Sequence, residues 1–335
     1  MSAGSTRGSA GMFVEVTRGP AVESRHAIDA AVVDADGALV WSAGDPDAAV
    51  FPRSAVKAML ALPMVESGVP DRLGLTPAEI ALACSSHSGE AVHTEAAASM
   101  LAKAGRDLTC LACGTHWPTH DATARALAAA GEQPTALHNN CSGKHAGFIC
   151  LACDRGLDPA GYETPDHPAM REITASLAAM TGSVLDERNR AVDGCSIPTF
   201  AIPLRAQALG FARIGTGAGQ APARAAALAR IRAAVAANPL MVGGTGKFDT
   251  DVMTAMGARI FSKGGAEGVH AMALPEQGLG IVVKARDGAG RAGSVAVATL
   301  AARFLGDADD LLARFTHPVL RNWRGIEVGR MRVAA

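Results

Sequence analysis

The sequence predicts an α+β fold: an antiparallel sheet built from both termini and flanked by helices, with a helical region inserted between. Three observations lead there. Short runs with strand patterning concentrate at about residues 13–50 and 258–335. Helical patterning broken by Gly- and Pro-rich stretches fills about residues 51–257. No internal repeat and no composition-marked linker interrupts the 335 residues, so a single catalytic domain, 13–335, is expected behind a disordered tail, 1–12.

Taken in order, the first residues to Gly11 are rich in Gly, Ser and Ala and lack an apolar signal core. They read as the floppy start of a cytoplasmic protein. Residues 13–17 alternate and predict a strand. Residues 25–34 and 38–42 predict a hairpin around Asp36-Gly37. A helix follows from Pro52. Thr76-Pro77-Ala78-Glu79 has the form of a helix start, running towards Cys84. Further helices are expected at about 91–104, 121–130, 142–154, 169–180, 204–210 and 224–237. Strands return at 258–262, 268–273 and 280–285, with Pro275–Gly278 as a turn. A helix at 294–304 and a strand at 326–333 complete the chain.

Composition narrows the function. Hydrophobic content of 49% and charged content of 19% belong to a well-buried globular chain. A net charge of −1 argues against a nucleic-acid binder, which would show a basic face. No apolar run reaches membrane-span length. Seven cysteines, an odd number without a secretion signal, argue against a disulfide framework.

The stretch that carries chemistry is Phe51-Pro52-Arg53-Ser54-Ala55-Val56-Lys57-Ala58-Met59-Leu60. A hydroxyl and an amine stand three residues apart in an apolar helix, so the Lys57 amine can reach the Ser54 hydroxyl. A serine needs a base to become a nucleophile, and burial can lower a lysine's pKa enough to make it one. The plainer alternative is a capping serine and a snorkelling surface lysine. Only six of the 31 Lys+Arg residues are lysines, leaving 25 arginines. Ordinary positive charge is thus supplied by Arg, and the lysines are free for work that needs proton loss.

Four other clusters have two readings each. Ser86, in Ser85-Ser86-His87-Ser88-Gly89-Glu90, is either a reactive loop serine or part of a helix cap. Ser262-Lys263-Gly264-Gly265 ends a predicted strand, where paired glycines admit a ligand or a backbone, or simply turn. Asn139-Asn140-Cys141-Ser142-Gly143-Lys144-His145 is the densest polar cluster, and Asp193-Gly194-Cys195 adds a second thiol. Two thiols with nearby nitrogen and carboxylate groups can hold zinc, or they are inert core cysteines. Gly243-Gly244-Thr245-Gly246-Lys247-Phe248 fails as a phosphate loop, because Met241 and Phe248 occupy required Gly and Ser/Thr positions. It reads better as a substrate wall. Cys110/Cys113 and Cys150/Cys153 read as core residues.

Together these motifs, from Phe51–Lys57 through Cys84–Glu90, Asn139–Gly147, Val192–Pro198 and Ser262–Gly268, resemble one family: the Rhizobium etli-type, class 3 thermolabile asparaginase II L-asparaginases. Order and spacing agree from about Phe13 to Val333. The resemblance implies a serine β-lactamase- and glutaminase-like fold and hydrolysis of L-asparagine to L-aspartate and ammonia. It implies two catalytic pairs, Ser54–Lys57 and Ser86–Lys263. It also implies a zinc site from Cys141, Lys144 and Cys195 beside Asp193, and a homodimer. Arg53, Asn140, His145 and Asp193 match positions near the family's substrate. No nucleic-acid or membrane partner is expected. Within the same fold, a glutaminase or a penicillin-recognising hydrolase is the alternative. The Lys-Thr-Gly of β-lactamases is absent, which weakens the penicillin reading. From another class, a zinc-dependent binding or redox-sensing protein would leave the Ser-x-x-Lys unexplained.

Overall fold

The structure, a computed structural model, describes residues 11–306 and 309–334. Most of the expected tail, residues 1–10, lies outside the described residues, and Met12 already belongs to the first strand. The chain divides into two compact units. One takes the chain through Ala55, Ala201–Gly219 and the part from Arg259 on; the other takes Val56–Phe200 and Gln220–Ala258.

The first unit is built on an antiparallel sheet. Its strands are β1 (Met12–Arg18), β2 (Ala21–Asp34), β3 (Leu39–Ala43), β4 (Phe261–Gly264), β5 (Val269–Leu274), β6 (Leu279–Ala285), β7 (Val319–Arg321) and β8 (Glu327–Val333). The order is β7-β8-β1-β2-β6-β5-β4, with β3 added on β2. Sheet strands therefore come from both ends of the chain, as expected. In register, Ala31 of β2 faces Val282, and Ala271 of β5 faces Lys263. All of β5 is buried, as is β6 apart from Lys284. Strands without alternation need cover on both faces. That cover comes from helices Leu204–Thr216 and Gly290–Leu305. Gly280 lets the first of these lie close: a Cβ there would stand 1.9 Å from the Ala208 carbonyl oxygen.

Two expectations change here. The helix predicted at 204–210 continues to Thr216, and it belongs to the sheet unit rather than to the helical part. Gly210 does not end it; Gly215, where a Cβ would come within 3.3 Å of Ala273, keeps it near β5. The strand predicted at 258–262 starts at Phe261, after a 3-10 turn at Gly257–Arg259, so Lys263 lies within a strand.

The second unit is helical. At its centre is helix Lys57–Glu66, in which every residue from Lys57 to Val65 is buried. It packs on helices Pro168–Thr181, Pro222–Ala237, Ser142–Asp154 and Pro77–Ala83. Helix Pro77–Ala83 starts where expected and carries a capping box, with Thr76 accepting from the Glu79 amide and Glu79 from the Thr76 amide. Helix Ser142–Asp154 approaches it through Gly143, whose Cβ would lie 2.5 Å from the Leu82 oxygen. Among the CxxC cysteines, Cys113 and Cys150 are buried, but Cys110 and Cys153 are only half-buried, so each pair is half core. Among the described residues no helix is long and apolar enough to cross a membrane.

Candidate active site

The expected helix start at Pro52 is a 3-10 turn, Arg53–Val56, and the α-helix begins at Lys57. Arg53 opens that turn at φ +51°, a left-handed conformation that non-glycine residues seldom hold. Lys57 is the one charged side chain among the buried residues of its helix. At 1% exposure it is closed off from bulk solvent, which penalises an ammonium. Its Nζ donates to the Ser85 carbonyl at 2.6 Å, to Ser86 Oγ at 3.0 Å and to the Asn140 carbonyl at 3.4 Å. Burial pushes the Lys57 pKa below the ordinary lysine value; the Cys141 sulfur opposes that shift and the Lys144 charge reinforces it. The lysine is thus a base candidate with a serine hydroxyl in hand, and that serine is Ser86.

Ser86 sits in a loop with little freedom. Its amide donates to the Val242 carbonyl at 2.9 Å. Next to it, His87 accepts the Gly89 amide on Nδ1, so its Nε2–H donates to Ser142 Oγ at 2.9 Å, and Ser142 Oγ donates to the Leu137 carbonyl. His87 stacks on His93 with ring centres 5.0 Å apart. Glu90 accepts from Ser88 Oγ, the Thr245 amide and Thr245 Oγ1 at 2.6–2.8 Å. Burial works against the Glu90 charge, but these donors prevail and hold its pKa down at about 2. The Gly-rich stretch thus braces the Ser86 loop. A Cβ on Gly244 would fall 1.9 Å from Ser88 Oγ, and its φ of +104° also requires glycine.

The second cluster in this unit is the thiol group. Asp193 and Cys195 lie at the tip of a short hairpin, Arg190–Val192 with Pro198–Phe200, whose turn places Ser196 at φ +77°. Cys141 directly precedes helix Ser142–Asp154, and Lys144 lies in its first turn. Lys144 Nζ donates to Cys195 Sγ at 2.9 Å, and Cys195 Sγ lies 3.6 Å from Asp193 Oδ2. A hydrogen bond from Cys195 brings the Cys141 thiol well below the ordinary thiol range, helped by the Lys144 and Lys57 charges. Cys195, as the donor, moves upward. Burial resists the Lys144 charge, yet the two sulfurs and Asp193 outweigh it and raise its pKa.

Two sulfurs, one with its thiol pKa lowered, and an amine, with the Asp193 carboxylate beside Cys195, are donors of the kind that suit a cation such as zinc. Counting only His, Cys, Asp and Glu, no group of three suited to a metal occurs among the described residues. Lys144 is the donor that completes the set, and it would have to give up its proton to bind metal.

Of the other expected residues, Asn140 gives its carbonyl to Lys57 and its amide N–H to His116 Nε2 at 2.9 Å. His145 is fully buried, and its Nδ1 lies 2.6 Å from the Tyr162 hydroxyl. Tyr162 and His87 are partners that the sequence reading missed. Arg53, Ser54 and Lys263 belong to the sheet unit. There, Gly265 receives the chain that leads into Ser54: its Cβ would stand 2.5 Å from the Pro52 oxygen and 3.4 Å from the Ala55 amide nitrogen. Both readings of Ser262–Gly265 are met: Gly265 takes a close backbone approach, and its amide donates to the Val269 carbonyl at 2.8 Å across the turn between β4 and β5. Lys263 Nζ donates to the Gly264 carbonyl at 2.7 Å.

Comparison with known proteins gives two kinds of match. A β-lactamase from Mycobacterium bovis is similar in structure at 16% identity, covering 86% of this chain and 95% of its own, with a TM-score of 0.41. A protein called Mglu is similar at 18% identity, covering 85% of this chain and 67% of its own, with a TM-score of 0.36. Likenesses this loose say nothing of activity. No curated protein is similar enough in sequence to count as a relative. The family description L-asparaginase II, in contrast, matches residues 14–333, which takes in parts of both units and every candidate site residue named above. The chain belongs to the L-asparaginase II family.

Proposed function

We propose that this protein hydrolyses L-asparagine to L-aspartate and ammonia through an acyl-enzyme. The observation that carries the reading is the buried Lys57 amine, held below its ordinary pKa and bonded to a serine hydroxyl at 3.0 Å. Membership of the family supports the substrate. Neutral Lys57 takes the Ser54 proton as Ser54 Oγ attacks the side-chain amide carbon. When the tetrahedral intermediate collapses, the C–N bond breaks and the leaving NH2 takes that proton from Lys57, departing as ammonia. Water then attacks the ester with Lys57 again accepting a proton, and the proton returns to Ser54 as aspartate leaves. Ser86 and Lys263 extend the proton relay. Arg53, Asn140, His145 and Asp193 bind the substrate.

Cys141, Lys144 and Cys195, beside Asp193, would hold zinc in this reading. When bound, zinc would supply a fixed positive charge that positions the substrate. A homodimer in the cytoplasm belongs to the same proposal; size-exclusion chromatography with light scattering tests the dimer.

One observation favours a second reading of the nucleophile. The hydroxyl bonded to Lys57 is that of Ser86, so Ser86 is the alternative acylation site. Rapid quenching during turnover, followed by peptide mapping, decides between them. An aspartyl ester on Ser54 supports the first reading, and one on Ser86 replaces it. Ammonia release from glutamine, and ring opening across a β-lactam panel, test the other amide and lactam substrates. Metal content without any turnover would point instead to a zinc-dependent binding or redox-sensing protein.

A further inference from the structure

We propose that Tyr162 is a positioning residue: its hydroxyl fixes the His145 imidazole as the Nε2–H tautomer, leaving a buried donor for a carboxylate of the amino-acid substrate. Tyr162 is the only tyrosine in the chain and is 1% exposed. Its hydroxyl oxygen accepts the Ala112 amide N–H at 3.0 Å. That direction is fixed, because a backbone amide can only donate. The phenol must then place its own hydrogen, and burial keeps it protonated by raising its pKa. The acceptor at hand is His145 Nδ1 at 2.6 Å. With Nδ1 accepting, the imidazole carries its hydrogen on Nε2.

That Nε2–H is fully buried and has no hydrogen-bond partner among the described residues. An unmade bond at a buried donor is costly, so the site calls for an acceptor that is not part of the chain. The ring cannot easily swing to find one. Tyr162 meets it edge-on with centres 5.4 Å apart, and Phe148 packs at 5.9 Å. The assignment of that acceptor as the substrate's carboxylate rests on the function proposed above; the tautomer does not.

Histidine-selective 15N NMR tests the tautomer directly, with the His145 signal identified from its loss in His145→Gln. In the unmodified protein, His145 is expected to carry its hydrogen on Nε2 with Nδ1 bare. In Tyr162→Phe, which removes only the hydroxyl, the signal should move to the Nδ1–H form or to a mixture. A wild-type spectrum with hydrogen on Nδ1 overturns the proposal without any variant, as does a His145 signal unmoved in Tyr162→Phe. Kinetics test the carboxylate. Tyr162→Phe should raise KM for L-asparagine about tenfold and lower kcat by less. A loss confined to kcat overturns the binding role. If the protein does not hydrolyse asparagine at all, the function proposed above fails, and the NMR result still decides the role of Tyr162.

Discussion

Lys57 and Lys144 are equally buried, each 1% exposed, and lie in the same unit, yet their surroundings drive their charges in opposite directions. Lys57 bonds to two carbonyl oxygens and a hydroxyl, all neutral, and the Cys141 sulfur offsets its burial only in part, so its pKa falls. Lys144 is met by two sulfurs and the Asp193 carboxylate, so burial is overcome and its pKa rises. Burial sets the penalty for a charge, and the partners decide whether it is repaid. In the proposed mechanism the pair divides two jobs that one lysine cannot do together. One amine would accept a proton; the other, bonded to sulfur, would anchor an anion or, deprotonated, a metal.

The largest expected effect comes from removing the first amine's ability to lose a proton. Lys57→Arg keeps a cation but should cut kcat by roughly a thousandfold, within the range for loss of a general base. Ser54→Ala should do at least as much; near-normal turnover in either variant breaks the assignment. Exchange at the second amine should act on binding. Lys144→Arg keeps the charge but cannot ligate metal, and Cys141→Ser or Cys195→Ser removes a sulfur ligand. Each should lower the zinc content from about one per chain and raise KM about tenfold, with kcat less affected. Full zinc and unchanged KM in Lys144→Arg would reduce Lys144 to an ion-pair partner.

Next in size is the pH dependence. A lowered Lys57 pKa means that the neutral amine gains population at lower pH than an ordinary lysine would. Log kcat should therefore rise with pH and level off before the ordinary lysine range. A limb still rising through that range contradicts the assignment. The smallest effect concerns the brace of the Ser86 loop. Glu90→Gln should cost about 1–2 kcal/mol of stability, the worth of its charge-assisted bonds, measured by urea unfolding. Because the folded-state pKa of Glu90 is lowered from 4.5 to about 2, its contribution is complete above pH 4.5. It is lost as pH falls through about 2. A wild-type protein and a Glu90→Gln variant with parallel acid curves would remove the brace.

Much of this was legible in the sequence because the pattern was long. Helix Ser142–Asp154 falls on its expected limits, and the terminal strands pair as their apolar runs foretell. Shorter pieces were not legible. The hairpin that carries Asp193 and Cys195 has strands of three residues, too few for a period-2 signal. Helix Phe248–Met256 follows a Gly-rich stretch whose composition drew attention to ligands instead. The link from Tyr162 to His145 spans 17 positions, and the Lys57–Ser86 bond spans 29, so no local spacing records them. The Ser-x-x-Lys spacing pointed from Lys57 to Ser54 and was silent on the carbonyls of Ser85 and Asn140. Those contacts belong to tertiary packing, and they settle which oxygens the amine meets in the helical unit.

The contrast between the two lysines can be read without turnover. With all six lysines labelled at Nζ, 15N NMR of metal-free protein followed across alkaline pH gives each amine's titration. Lys57→Met and Lys144→Met identify the two signals. Lys57 should lose its proton below the ordinary value of 10.5, and Lys144 should hold its own above it. If the two titrate together, or Lys144 first, the opposed roles of the two lysines fall.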